Sequence, residues 1–249
     1  MRLPNLLRRG ARSVGIPPGQ RVYAIGDIHG RMDLFKDLLS LIEADSADRA
    51  RAKTTLILLG DFIDRGPDSA RLMKIGLHYQ ASRRFVVLRG NHEAALIDAI
   101  AGDFDAMDLW LAHGGDATLR SFGVRDEQID PDDTAETIRL ARRTIPGPLI
   151  NWLARLPLTY RVGAYFFVHA GVRPGVPLHK QTETDLLWIR NEFTDCGDDH
   201  GAIIVHGHSV YEDGVHFQPN RIGIDTGAWR TGRLSALGLE GEDCWALCT

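Results

Sequence analysis

The chain has 249 residues, 44% of them hydrophobic and 25% charged, with a formal net charge of −4. That length supports one substantial apolar core, and no run approaches the ~18 apolar positions of a membrane-spanning helix. The acidic balance excludes a general nucleic-acid binder, yet a local positive field could still take a small phosphorylated substrate.

Residues 1–20 read as an N-terminal tail. Arg2, Arg8, Arg9 and Arg12 make it basic, and its longest apolar run, Leu6-Leu7, is too short for a signal-peptide core. An organelle-targeting peptide is the alternative. Residues 21–249 are expected to form a single domain. Cys196, Cys244 and Cys248 are the only cysteines. An odd, sparse set is no disulfide framework, and Cys244 and Cys248 lack a second pair for zinc, so a reducing, cytoplasmic location is expected.

Val22–Ile25, Thr55–Leu59 and Phe85–Leu88 are short apolar runs bounded by glycine, a pattern that predicts buried strands. Between them, Arg31–Ala44 carries apolar residues at helical spacing. Pro67-Asp68-Ser69 starts a second helix with Leu72, Met73, Ile75 and Leu77 on one side. Ala94–Ala101 reads as a third helix. A β-α-β-α-β series with short connections predicts a parallel sheet.

Residues 102–157 differ. Trp110, Leu111, Ile138, Leu140, Leu149, Ile150, Trp152 and Leu153 fall at helical spacing around an acidic loop, Asp126 to Asp133. This stretch is expected to be a helical insert beside the site. The last third returns to strands at Leu158–Val162, Tyr165–Val168, Ala202–Val205, Arg221–Ile224, Leu234–Leu239 and Trp245–Leu247. Their close spacing predicts a second, mainly antiparallel sheet. Two sheets with helices on their outer faces give an α/β fold, a layered α/β/β/α sandwich.

Five of the strand candidates run into chemistry-bearing residues. Gly26-Asp27-Ile28-His29-Gly30, Gly60-Asp61-Phe62-Ile63-Asp64-Arg65-Gly66, Arg89-Gly90-Asn91-His92-Glu93, His169-Ala170-Gly171 and His206-Gly207-His208 follow them in turn. Ligands collect at the carboxyl ends of strands in an open α/β sheet. Asp27, His29, Asp61, Asn91, His169 and a histidine of the last cluster should therefore share one rim. Oxygen and imidazole donors together suit manganese, iron or zinc better than magnesium or calcium. Two ions ~3.5–4 Å apart can hold both oxygens of an in-line phosphoryl displacement. Asp61, on the middle motif, is the natural bridge; Asp27 and His29 would serve one ion, and Asn91, His169 and His208 the other. Gly26, Gly60 and Gly90 each precede a candidate ligand and would allow a sharp turn there.

Taken in order and spacing, these motifs resemble the phosphoprotein phosphatase family of calcineurin-like metallophosphoesterases, over most of the chain from about Val22 to Leu239. The resemblance implies the layered sandwich, two divalent metal ions with manganese first among the candidates, and direct attack by a metal-bridging hydroxide. It implies Asp27, His29 and Asp61 on one metal and Asp61, Asn91, His169 and His208 on the other, with His208 preferred to His206. It also implies His92 as general acid oriented by Asp64, and Arg65 and Arg190 as phosphate-binding residues. His169-Ala170-Gly171 and Ile224-Asp225-Thr226-Gly227-Ala228-Trp229 resemble the prokaryotic and phage branch, so regulatory subunits of the eukaryotic enzymes are not carried over.

The function so implied is hydrolysis of phosphate monoesters, phosphoserine or phosphothreonine in proteins, with a phosphoprotein or small phosphorylated substrate as the partner. Asp64-Arg65 and Glu93 lean that way. The rival is a symmetric bis(5'-nucleosyl)-tetraphosphatase cleaving a phosphoanhydride. A binding module without catalysis would lack His92, a ligand or an arginine, and none is missing. Among the remaining residues, Asp225 reads as a turn residue or a support behind the ligands, His113 as a loop residue or a substrate contact, Arg89 as an ion-pair or cleft residue. His78, His179, His200 and His216 read as surface or packing residues. Trp110, Trp152 and Trp229 are expected in the core.

Overall fold

The computed structural model describes residues 15–130 and 132–249. The basic stretch through Arg12, and with it most of the expected tail, lies outside the described residues.

The first half alternates strand and helix: β1 (Gln20–Ile25), α1 (Met32–Ala47), β2 (Lys53–Leu58), α2 (Ser69–Tyr79), β3 (Phe85–Val87) and α3 (Asn91–Ala101). Four further helices follow: α4 (Phe104–Ala112), α5 (Gly115–Ser121), α6 (Thr134–Thr144) and α7 (Gly147–Leu153). The last third contains β4 (Thr159–Val162), β5 (Tyr165–Val168), α8 (Glu183–Trp188), α9 (Asn191–Thr194), β6 (Ile203–His206), β7 (His216–Phe217), β8 (Arg221–Gly223), α10 (Ala228–Thr231), β9 (Ser235–Glu240) and β10 (Asp243–Cys248).

One sheet has the order β10-β9-β1-β2-β3 and the other β4-β5-β6-β8-β7. β1, β2 and β3 pair in parallel, with Val22 opposite Thr55 and Ile25 opposite Leu58. β5, β6 and β8 are likewise parallel, flanked by antiparallel β4 and β7. The second sheet is therefore mixed, not mainly antiparallel. The strands expected at Leu234–Leu239 and Trp245–Leu247 join the first sheet, where β9 runs antiparallel to β1 and β10 closes a hairpin on β9. Short connections predict strands but not the edge that receives them, and β9 covers the edge that β1 would otherwise leave open. The two-residue β7 was not foreseen.

Burial follows the layers. Along β1 the side chains alternate, so both faces of the strand are covered. Val22 and Ala24 join Ile57, Tyr165, Phe167, Val205, Ile222 and Leu237 between the sheets. Tyr23 and Ile25 face the other way, into a cluster with Phe35 and Leu38 of α1, Met73 of α2 and Leu96 of α3. Trp110, Ile138, Leu140 and Trp152 from α4, α6 and α7 lie in that same cluster. A third cluster packs Phe166, Val168 and Ile204 against Leu186, Ile189 and Phe193 on the outer face of the second sheet. Helix, sheet, sheet, helix is the order through the molecule. Among the described residues, no helix is long and apolar enough to cross a membrane.

Candidate active site

The parallel strands deliver their carboxyl ends to one rim. Asp27 and His29 follow β1, Asp61, Asp64 and Arg65 follow β2, and Asn91 and His92 open α3 just beyond β3. His169 follows β5 and His208 follows β6. Of these, Asp27, His29, Asp61, Asp64, Asn91, His92, His169 and His208 are all buried.

Asp61 is at the centre. Its Oδ2 lies 3.8 Å from His29 Nε2, 3.8 Å from His92 Nε2 and 3.5 Å from His169 Nε2. Two triads, His29–Asp61–His92 and Asp61–His169–His208, each bring one donor atom per residue within 4.8 Å of the others, and Asp61 belongs to both. His29 donates from Nδ1 to the Ile63 carbonyl at 2.9 Å, and His169 from Nδ1 to the Leu59 carbonyl at 3.0 Å. Those bonds leave each Nε2 lone pair facing the cluster. His169 Nε2 then stands 2.7 Å from Asn91 Oδ1, acceptor against acceptor. His208 Nε2 is buried with no hydrogen-bond partner. Buried acceptors without donors are costly, and a cation relieves them; this donor set of imidazoles, carboxylates and an amide oxygen fits a divalent metal.

The charges agree. Burial holds His29, His169 and His208 below the usual histidine range, which keeps them neutral as metal ligation requires. Burial opposes ionisation of Asp61, but in acid, as His169, His92 and His29 take up protons, their charges outweigh it and hold the carboxylate below its usual range. Asp27 goes the other way: burial, then Asp225 and Asp61, push it well up. Burial also raises Asp225, to about 6, and its carboxyl shares a hydrogen bond with Asp27. The Asp27 carboxylate also accepts the His208 amide, at 3.1 Å to Oδ2.

Backbone strain is concentrated here. Among the described residues, the non-glycine residues with positive φ are His29, Asp61, Asp64, Arg65 and His208, at 45°, 46°, 71°, 67° and 59°. Such conformations cost ~1–3 kcal/mol each and persist where surrounding structure imposes them. Close approach matters at two glycines. A Cβ on Gly90 would sit 2.2 Å from Asp61 Oδ1, and one on Gly207 would sit 2.1 Å from Asp27 Oδ1.

His92 has a built surrounding. Its Nδ1 is 2.7 Å from Asp64 Oδ2, and Asp64 also accepts from Trp110 Nε1 at 2.9 Å and Thr118 Oγ1 at 2.6 Å. Burial disfavours the charged imidazole, but Asp61 and the bonded Asp64 overcome it and raise its pKa. Sequence reasoning placed Trp110 in the core, where it is, but missed this bond. It also missed the work of Glu93, whose carboxylate accepts the amides of Gly90, Asp61, Phe62 and Ile63 at 2.8, 2.9, 3.0 and 3.3 Å. The capping pattern of an acid at the third helical position was the available signal. Burial and Asp61 push this carboxyl up, to about 8, while the amides pull it down.

Arg65 is half-buried at the rim, with Nη2 3.1 Å from His92 Nε2. Arg190 is exposed at the start of α9, and its charge reaches His169 and His208. Arg89 makes an ion pair with Glu183 at 2.7 Å. His206 is buried against Phe193, ring centroids 5.0 Å apart, and lies in neither triad. His113 is exposed, its ring 6.3 Å from that of His92. Trp152 is buried as expected, but Trp229 is 41% exposed. It lies in the single turn of α10, and its ring meets the guanidinium groups of Arg65 and Arg230.

Comparison with known proteins fits this arrangement. The symmetrical bis(5'-nucleosyl)-tetraphosphatase of Nitrosospira multiformis is 29% identical over 153 residues, which is 61% of this chain and 44% of that protein. The chain thus spans under half of that relative's length. Serine/threonine-protein phosphatase 2 of Escherichia coli is 26% identical over 227 residues, 87% of this chain and 91% of its own. A crystal structure provisionally named as a diadenosine tetraphosphatase superposes with a TM-score of 0.62 at 24% identity, covering 99% of this chain and 96% of that one, and so shares the fold. The calcineurin-like phosphoesterase model matches residues 20–226. The chain belongs to the calcineurin-like phosphoesterase family.

Proposed function

We propose that this protein hydrolyses phosphate monoesters with two divalent metal ions, manganese first and iron or zinc next, and that its substrate is phosphoserine or phosphothreonine in a protein. The observation that carries this reading is Asp61: a buried carboxylate within 3.8 Å of three histidine Nε2 atoms and shared by both donor triads. Asp27, His29 and Asp61 would hold one ion, and Asp61, Asn91, His169 and His208 the other. Divalent ions bound there supply Lewis acidity, which stabilises negative charge on the phosphoryl group and makes water a better nucleophile.

The chain's own residues do the rest. His92 carries a proton on Nε2 to the leaving oxygen while Asp64 accepts its Nδ1–H and fixes the ring plane. Trp110 and Thr118 hold Asp64 in turn, so the acid is aligned by a bonded chain and not by one contact. Arg65 and Arg190 offer paired donors to the phosphoryl oxygens; neither has an ion-pair partner among the described residues. Residues 21–249 act as one unit on this reading, and 102–157 supplies the wall of the cleft through α4 and α5.

The near full-length match to the Escherichia coli serine/threonine phosphatase supports the phosphoprotein substrate. A second reading, symmetric cleavage of a dinucleoside tetraphosphate, is favoured by the tetraphosphatase relatives, although the chain aligns with less than half of each. Turnover of a phosphothreonine peptide and of diadenosine tetraphosphate, by chain reconstituted with Mn, Fe, Zn, Ni or Mg after chelation, separates the two. The proposal expects the peptide to have the higher kcat/KM with manganese. A higher value for the dinucleotide selects the second reading.

A further inference from the structure

Arg65 is an unusual arginine. Its charge is felt by the buried carboxyl groups of Asp27 and Asp225, yet it forms no salt bridge among the described residues. Its side-chain polar contacts are Nη2 standing 3.1 Å from His92 Nε2 and a long hydrogen bond from Nε to the His113 carbonyl at 3.4 Å. A long side chain held by so little would sample many rotamers. One more contact is present: the guanidinium carbon lies over the Trp229 ring, 5.0 Å from its centroid.

Trp229 is exposed, but its backbone is pinned. It lies in the single turn of α10, between Gly227 and Gly232, both left-handed at φ 68° and 72°. Arg31 Nη1 donates to the Ala228 carbonyl at 3.0 Å, and Thr231 Oγ1 donates to the carbonyl of Thr226 at 2.8 Å. The amide of Gly227 donates to Asp225 Oδ1 at 2.8 Å. A turn held by these bonds thus presents an aromatic face at the mouth of a charged site. Two guanidinium groups lie over the ring: that of Arg65, the nearer, and that of Arg230 at 6.0 Å, which is already paired with Glu212 at 2.7 Å.

We propose that Trp229 is a positioning residue: its ring face holds the Arg65 guanidinium at the rim, ready to bind phosphoryl oxygens, without itself touching the substrate. This rests on the phosphate role proposed above for Arg65. A cation over an indole at a half-exposed site is worth a two- to fivefold effect on binding. A phenyl ring keeps a weaker version of the same face, and an aliphatic side chain of similar bulk does not.

The experiment uses the manganese-reconstituted full chain, p-nitrophenyl phosphate as substrate and inorganic phosphate as competitive inhibitor. Trp229→Ala and Trp229→Leu should each raise KM and the phosphate inhibition constant together, two- to fivefold, with kcat within twofold. Trp229→Phe should return both constants most of the way. In an Arg65→Ala background, Trp229→Ala should change neither constant further. Additive losses in that double variant would overturn the proposal while leaving Arg65 in its role. So would full recovery with Trp229→Leu, or a rise in KM with an unchanged phosphate constant, which would mean that Trp229 touches the leaving group. If Arg65→Ala itself moves neither constant, the phosphate role of Arg65 fails first and the positioning role goes with it.

Discussion

His92 Nδ1 and Asp64 Oδ2 are 2.7 Å apart, both are buried, and the aspartate is further bonded by Trp110 and Thr118. The imidazole is thus fixed in plane, with Nε2 toward the site. His92→Asn should keep the metals bound but slow phosphopeptide hydrolysis by roughly 10²–10⁴-fold, the usual worth of a positioned acid. An aryl phosphate, whose leaving group needs no proton, should lose far less. Equal losses on the two substrates would remove the acid role.

The same pair sets a pH dependence. Against the effect of burial, Asp61 and Asp64 raise the His92 pKa, so the proton is present below that raised value and lost as pH rises through it. Asp64→Asn takes away one of the two raising charges. The alkaline limb of the kcat profile should then move to lower pH. An unmoved limb would assign it to another group.

Glu93 organises backbone more than chemistry. With four amides bonded to one carboxylate, Glu93→Ala leaves buried donors from Gly90 to Ile63 without a partner. The expected loss is about 2–4 kcal/mol in denaturant unfolding, from several unsatisfied amides. A change below about 0.5 kcal/mol would mean that water replaces the carboxylate freely.

Far from the site, Asp45 accepts hydrogen bonds from Tyr23, Arg49 and Trp245 and ties α1 to β1 and β10. Burial works against its charge, but the Arg49 and Tyr23 bonds prevail and lower its pKa. A lowered folded-state pKa stabilises above the unfolded value, near 4, and that stability is lost as pH falls through the folded value. Asp45→Asn should therefore cost roughly 1 kcal/mol at pH 7 and progressively less below pH 4. A constant difference from pH 7 to pH 3 would contradict the assignment.

The strand ends and their glycines were legible in the sequence because a short apolar run followed by Gly and a polar ligand is a local pattern. β1, β2, β5 and β6 begin or end within about two residues of their expected bounds for that reason. The pairing of β9 with β1, and so the sheet that the β9–β10 hairpin joins, was not legible, because pairing across more than 200 residues depends on which edge the fold leaves open. The bond from Trp110 to Asp64 has the same character: nothing near either residue announces it. Trp229 was misplaced for another reason. Indoles are usually buried, and the turn that carries this one is tied to Arg31, nearly 200 positions away, by a contact that nothing local announces.

The central claim is that Asp61 serves two ions at once, and metal content tests it most directly. Wild-type protein, stripped with chelator, reloaded with manganese and freed of excess, should hold two equivalents per chain, and Asp61→Ala should lose metal at both positions. One equivalent in the wild type, or two retained by Asp61→Ala, would contradict it.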